Sequence, residues 1–142
     1  LLGSALAAHC VAVSIPANLP LCDCDAILMQ RVIVNLLENA AKFTPVGTKI
    51  LVSAVADRAQ MRIIVEDEGP GFPGSEETRL FEKFARGETE SNKPGVGLGL
   101  ALCKAIVEAH HGTIQAKNKA EGGARFTIIL PLGVPPQPEE VL

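Results

Sequence analysis

The order of elements readable in this 142-residue chain predicts an α+β fold in two layers. About three helices would lie on one face of a mixed, mostly antiparallel sheet of about five strands. Three observations predict it. Two pairs of alternating apolar runs, Thr48–Ala56 with Met61–Asp67 and Thr113–Lys117 with Ala124–Leu130, are each joined by a short polar or glycine-rich turn and read as hairpins. Helical apolar periodicity fills Ala26–Phe43 and returns over Ala101–His111. Between the first hairpin and the second helix lies a stretch too long and too rich in Gly, Pro and charge to be a simple connection.

Taken in order, Leu1–Ala8 lacks the basic start of a signal peptide and has no initiator Met, and reads as the end of a preceding linker helix. The domain itself is expected over residues 9–132. Val11–Ile15 alternates as a short strand, ended by Pro16 and the Asn18-Leu19-Pro20 turn. Asp25 is placed to cap the long helix, which must stop before Pro45. Asp57-Arg58-Ala59-Gln60 turns the first hairpin. Gly69–Pro94, with Leu80, Phe81 and Phe84 embedded in it, reads as a mobile functional loop holding a short helix. Gly112 suits the C′ position after the second helix, and Glu121-Gly122-Gly123 turns the second hairpin. Residues 133–142, with three prolines, form a flexible tail.

Composition narrows the function. At 47% hydrophobic and 20% charged residues the chain should be globular rather than disordered. A net charge of −3, with no Trp, no Tyr and only five Phe, argues against a nucleic-acid groove or a stacking platform. No apolar run approaches the length of a membrane span, so no direct membrane contact is expected. The four cysteines, Cys10, Cys22, Cys24 and Cys103, read as free thiols; Cys22-Asp23-Cys24 has no second pair or histidine cluster to complete a metal site.

Three stretches carry chemistry. In the long helix Arg31, Asn35, Glu38, Asn39 and Lys42 form one narrow polar stripe in an otherwise apolar segment, as on a helix buried on most sides that turns the stripe toward a cavity. A solvated face would be wider and richer in Glu, Lys and Arg. An Asn carbonyl oxygen suits Mg²⁺, and Lys42 suits a phosphate. Met61, Ile63, Val65 and Asp67 share one strand face, so Asp67 closes an apolar row, where a carboxylate is costly unless it receives specific hydrogen bonds. The exocyclic amino group of adenine is one such donor; taken alone, an Asp before Gly reads as a turn initiator. Gly95-Val96-Gly97-Leu98-Gly99-Leu100 opens the second helix, where backbone N–H groups and the helix dipole favour an anion. By itself that run fits a phosphate cradle or a close-packed connector.

Together, Asn35–Phe43, Asp67-Glu68-Gly69-Pro70-Gly71, Leu80–Gly87 and Gly95–Leu100 resemble, in order and spacing, the N, G1, F and G2 boxes of the ATP-binding catalytic domain of sensor histidine kinases. The resemblance covers about Pro20 to Pro131 and places the chain in the GHKL superfamily, with its Bergerat-type sandwich and long ATP lid. Phe84-Ala85-Arg86-Gly87 and Pro94–Ala101 further look like the potassium-responsive sensor kinases of the Kdp type.

The resemblance implies that Asn39, with Asn35, holds the Mg²⁺ that bridges the ATP phosphates, and that Lys42 adds positive charge. Asp67 would select adenine, with backbone access at Gly69 and Gly71. Phe81 and Phe84 would anchor the lid, Arg86 would approach the terminal phosphate, and Gly95, Gly97, Leu98, Gly99 and Leu100 would line the phosphates. Glu38 is the candidate base for a substrate imidazole. Related ATPases place a water-activating Glu where Asn35 stands, so vigorous hydrolysis is disfavoured. Two departures weaken the pattern without removing it: Ala124 replaces a frequent Thr or Ser, and Phe43 a frequent Tyr.

The implied activity is transfer of the ATP γ-phosphoryl group to a histidine on a separate dimerisation and acceptor domain, in a homodimeric protein that signals to a response regulator. His9, His110 and His111 lack the acidic acceptor box, and a capping role suits the last two. The expected location is the cytoplasmic side of an inner-membrane sensor. A non-catalytic nucleotide-sensing module and an anti-sigma-type serine kinase are the alternatives.

Overall fold

The computed structural model describes residues 9–14, 24–57, 59–72, 80–81 and 96–132. The linker segment 1–8, residues 15–23 with Cys22, most of the expected lid with Phe84, Arg86 and Gly95, and the tail 133–142 lie outside them.

The elements run β1 (Cys10–Ser14), α1 (Ala26–Phe43), β2 (Lys49–Ala56), β3 (Gln60–Asp67), α2 (Val96–Ala109), β4 (Thr113–Asn118) and β5 (Ala124–Pro131). One five-stranded sheet takes the order β1-β2-β3-β5-β4. β1 pairs parallel with β2, across the α1 crossover that parallel neighbours require. The other pairs are antiparallel. The mixed, mostly antiparallel sheet is therefore as expected, with two of the expected helices among the described residues.

The period-two pattern decides which sheet face is covered. Met61, Ile63, Val65 and Asp67 on β3, and Ala124, Phe126, Ile128 and Leu130 on β5, are all buried. Met29, Val32, Leu36 and Ala40 of α1 and Leu100, Cys103, Ile106 and Val107 of α2 form the opposing layer. Each fully buried Leu, Ile or Val in that layer contributes roughly 1.5–3 kcal/mol of transfer free energy.

Asp25 caps α1 as expected, accepting the Leu28 N–H at 3.0 Å. Asp57 sets the first hairpin by accepting the Ala59 and Gln60 N–H groups, both at 2.8 Å, which hold its carboxyl below the usual range.

Three expectations need correction. The helix expected from Ala101 begins at Val96, so Gly97 and Gly99 lie within its first turn. Glycine weakens helix interiors, but the first four N–H groups of any helix lack intrahelical partners, so the penalty there is small. The C′ residue of α2 is His111, at φ 62, and not Gly112. The His111 N–H bonds Glu108 O at 2.9 Å and the Gly112 N–H bonds Val107 O at 3.0 Å, a Schellman pattern with Gly112 at C″. Gly112 is there because a Cβ would run into the Ile129 carbonyl. Finally, α1 is buried on most sides only in its second half: Ile27 near its start is 77% exposed, whereas every residue from Val32 to Ala41 is buried or half-buried.

Candidate functional site

Two contacts fix how the helices lie. The Asp25 N–H donates to His110 Nε2 at 3.0 Å, joining the start of α1 to the end of α2. The Cys103 thiol donates to Val32 O at 3.6 Å midway along both. The helices therefore run antiparallel, and the half of α1 that carries Asn35, Asn39 and Lys42 leads toward the first turn of α2. His110 Nε2 accepts, so the ring proton sits on Nδ1, which donates to Ile106 O at 2.8 Å. His110 thus caps α2 through the Ile106 carbonyl, and it ties in α1 as well.

The polar stripe is graded along α1. Asn35, Glu38 and Asn39 are half-buried, while Arg31 and Lys42 are exposed. Burial pushes the Cys103 thiol up to about 11, opposed in smaller part by the Asn35 amide. Thr44 closes the helix by donating its hydroxyl to Ala40 O at 2.7 Å, so His9 Nε2, 2.9 Å from that hydroxyl oxygen, is the donor to it.

The end of β3 lies against this same end of α1. A Cβ on Gly69 would meet the Thr44 methyl group. Asp67 is 6% exposed and is the only buried polar or charged residue among those described. Its Oδ1 accepts the Gly69 N–H at 2.9 Å and the Ala124 N–H at 3.3 Å. Both bonds fall on one oxygen, which leaves Oδ2 for a donor from outside the described chain. Gly123 packs its backbone onto the Asp67 carbonyl at φ 96, where a Cβ would collide.

The structure therefore brings Asn35, Glu38, Asn39 and Lys42 to the same end of the molecule as Asp67, Gly69 and Gly71, with the first turn of α2 opposite. Among the described residues, a Cβ on Gly99 would meet nothing within 4 Å. The Leu100 side chain is in the core, at 3% exposure, and has only backbone to offer a ligand. Phe81 is buried edge-to-face on Phe126, ring centroids 6.0 Å apart. Ala124, where a hydroxyl was expected, still contributes its N–H to Asp67.

Sequence reasoning missed Asn118, Thr44 and His9. Asn118 accepts the Phe72 N–H at 3.0 Å and donates to Phe72 O at 2.6 Å. An Asn at a strand end signals only a turn, and nothing local announces a partner 46 residues away. The described residues hold no cluster of three His, Cys, Asp or Glu suited to a metal, and Cys24 and Cys103 are free cysteines. None of their helices is long and apolar enough to cross a membrane.

Comparison with known proteins widens this local picture. Sensor protein KdpD of Escherichia coli (strain K12) is 47% identical over 127 residues, 89% of this chain and 14% of that protein. Adaptive-response sensory kinase SasA of Rippkaea orientalis is 39% identical over 119 residues, 83% of this chain and 30% of that protein. The chain thus spans less than a third of these relatives. The mycobacterial sensor histidine kinase MprB aligns with a TM-score of 0.80 at 29% identity, over 92% of this chain and 88% of that one. Full-length ShkA in complex with AMPPNP aligns with a TM-score of 0.76 at 29% identity, over 89% of this chain and 26% of that one. The family match itself covers residues 24–134, which include both helices and every strand but the first. A likeness of that extent is to the whole fold rather than to one motif, and the chain belongs to the histidine kinase-, DNA gyrase B- and HSP90-like ATPase family.

Proposed function

We propose that this chain is the ATP-binding catalytic module of a two-component sensor histidine kinase, transferring the γ-phosphoryl group of ATP to a histidine on a separate dimerisation and acceptor domain. The observation that carries the reading is Asp67: a buried carboxylate with one oxygen held by two backbone N–H groups and the other left for a donor. The adenine amino group supplies that donor. Guanine presents a carbonyl there, which a carboxylate repels. The solved complex of ShkA with AMPPNP supports a nucleotide as the ligand.

In this reading Gly69 and Gly71 give the base backbone access, and Phe84 helps anchor the lid. The backbone of Gly95, Gly97, Leu98, Gly99 and Leu100 lines the phosphates, with Lys42 and Arg86 adding charge. Asn39 and Asn35 offer the oxygen ligands that Mg²⁺ takes beside phosphates, and the ion neutralises charge on the transferring group. Asn35 cannot activate water as a Glu would, so hydrolysis stays slow, and Glu38 is placed on the same stripe to accept the acceptor imidazole's proton. Kinship with KdpD supports potassium or osmotic signalling through a response regulator, from the cytoplasmic side of an inner-membrane sensor.

The test is to mix this chain, Mg-ATP labelled at the γ-phosphate and a separately made acceptor hairpin. Acid-labile phosphohistidine is the expected product. Acid-stable phosphoserine would indicate a serine kinase of the anti-sigma type. ATP binding without transfer would indicate a nucleotide-sensing module.

A further inference from the structure

We infer that Asn118 is a positioning residue of the adenine site, locking the turn that follows Asp67 onto the sheet so that the carboxylate and the backbone beside it meet the base in one arrangement. The inference rests on the reading of Asp67 as the adenine-selecting group.

Asn118 ends β4 and is paired with Ala124, whose N–H donates to Asp67. Its side-chain amide engages both backbone groups of Phe72, accepting the N–H at 3.0 Å and donating to the carbonyl at 2.6 Å. A planar amide bonded to both groups of one residue copies a rung of a β-ladder, so Phe72 is held much as a neighbouring strand would hold it. Gly71, just before it, has φ 80, and a Cβ there would strike Asn118 Oδ1. The approach is open only to glycine. On the other side Gly123 lies backbone to backbone on Asp67. The turn of residues 69–72 is thereby fixed at both ends: Gly69 by its N–H to Asp67 Oδ1, and Phe72 by Asn118.

Asn118 therefore acts through Gly71 and Asp67, not on the phosphates. A side chain that merely ordered a surface turn would lower stability and leave base discrimination alone. One that positions the adenine site lowers affinity for ATP and narrows the preference over GTP, and leaves tripolyphosphate untouched.

The experiment is equilibrium binding of Mg-ATP, Mg-GTP and Mg-tripolyphosphate to this chain and to Asn118→Ala, Asn118→Asp and Gly71→Ala. Asn118→Ala should weaken ATP about tenfold, with a similar fall in the ATP-to-GTP ratio and no change for tripolyphosphate. Asn118→Asp keeps the acceptor for the Phe72 N–H but loses the donor, so it should show the same pattern; it carries the comparison if the alanine variant fails to fold. Gly71→Ala should cost less in the Asn118→Ala background than in the parent, because the obstructing oxygen is gone. Unchanged ATP affinity and selectivity in both Asn118 variants would overturn the inference, as would equal weakening of ATP and tripolyphosphate. Asp67→Asn separates the two readings. If it leaves ATP affinity intact, the adenine assignment itself fails; if it abolishes binding while the Asn118 variants bind normally, only the positioning role fails.

Discussion

Asp67 sits where the row Met61, Ile63, Val65 would otherwise continue with another apolar side chain. A carboxylate in such a place is tolerated because two N–H groups converge on one of its oxygens, and in the proposed function the remaining oxygen is the one that meets adenine. Cys103 shows the opposite use of burial. With no exposure and a thiol pushed up to about 11, it should resist alkylation at neutral pH, while half-buried Cys24 reacts. Mass spectrometry after brief iodoacetamide treatment checks this. The raised value also has a linkage consequence. The unfolded chain loses the Cys103 proton near the ordinary value of 9.0 and the folded chain only near 11. Stability should therefore fall between those pH values, by at most about 1.4 kcal/mol per pH unit. Denaturation curves of Cys103→Ala should lack this slope.

At the scale of elements, α1 carries both core and site. Leu36 is 1% exposed, so Leu36→Ala should cost about 2–5 kcal/mol, read as a lower denaturant midpoint at unchanged slope. His110→Ala removes the tie between the start of α1 and the end of α2, and should cost about 1 kcal/mol by the same measurement. The bounds of α1 were legible because both signals are local: an Asp at the cap and a Pro two residues past the end. The start of α2 was not, since glycine's aversion to helices holds for interiors and Gly97 and Gly99 sit in the first turn. Nor was its end, where crowding by Ile129 and Leu130, rather than backbone handedness, explains Gly112.

For the whole molecule, the two hairpins and the covered face are written in local periodicity, while the β3–β5 pairing that sets the sheet order is not. What periodicity cannot carry is the convergence. His110 meets Asp25 across 85 residues, Asp67 meets Ala124 across 57, and Asn118 meets Phe72 across 46. The first sets the helices antiparallel, and the other two assemble the end of the sheet. The motifs named the candidate site residues, while the contacts that hold the described ones became visible only in the fold. A ligand seated at this convergence should stabilise the entire domain. Mg-ATP at 100 times its dissociation constant should add about 2.7 kcal/mol to unfolding.

Binding itself is the most direct test of Asp67 as the adenine-selecting carboxylate: equilibrium titration of this chain and of Asp67→Asn with Mg-ATP and Mg-GTP. The parent should bind ATP at least roughly 100-fold more tightly than GTP, and Asp67→Asn should lose ATP binding by a similar factor while staying folded. Equal affinity of the parent for the two nucleotides, or an Asp67→Asn variant that binds ATP as the parent does, would contradict that role.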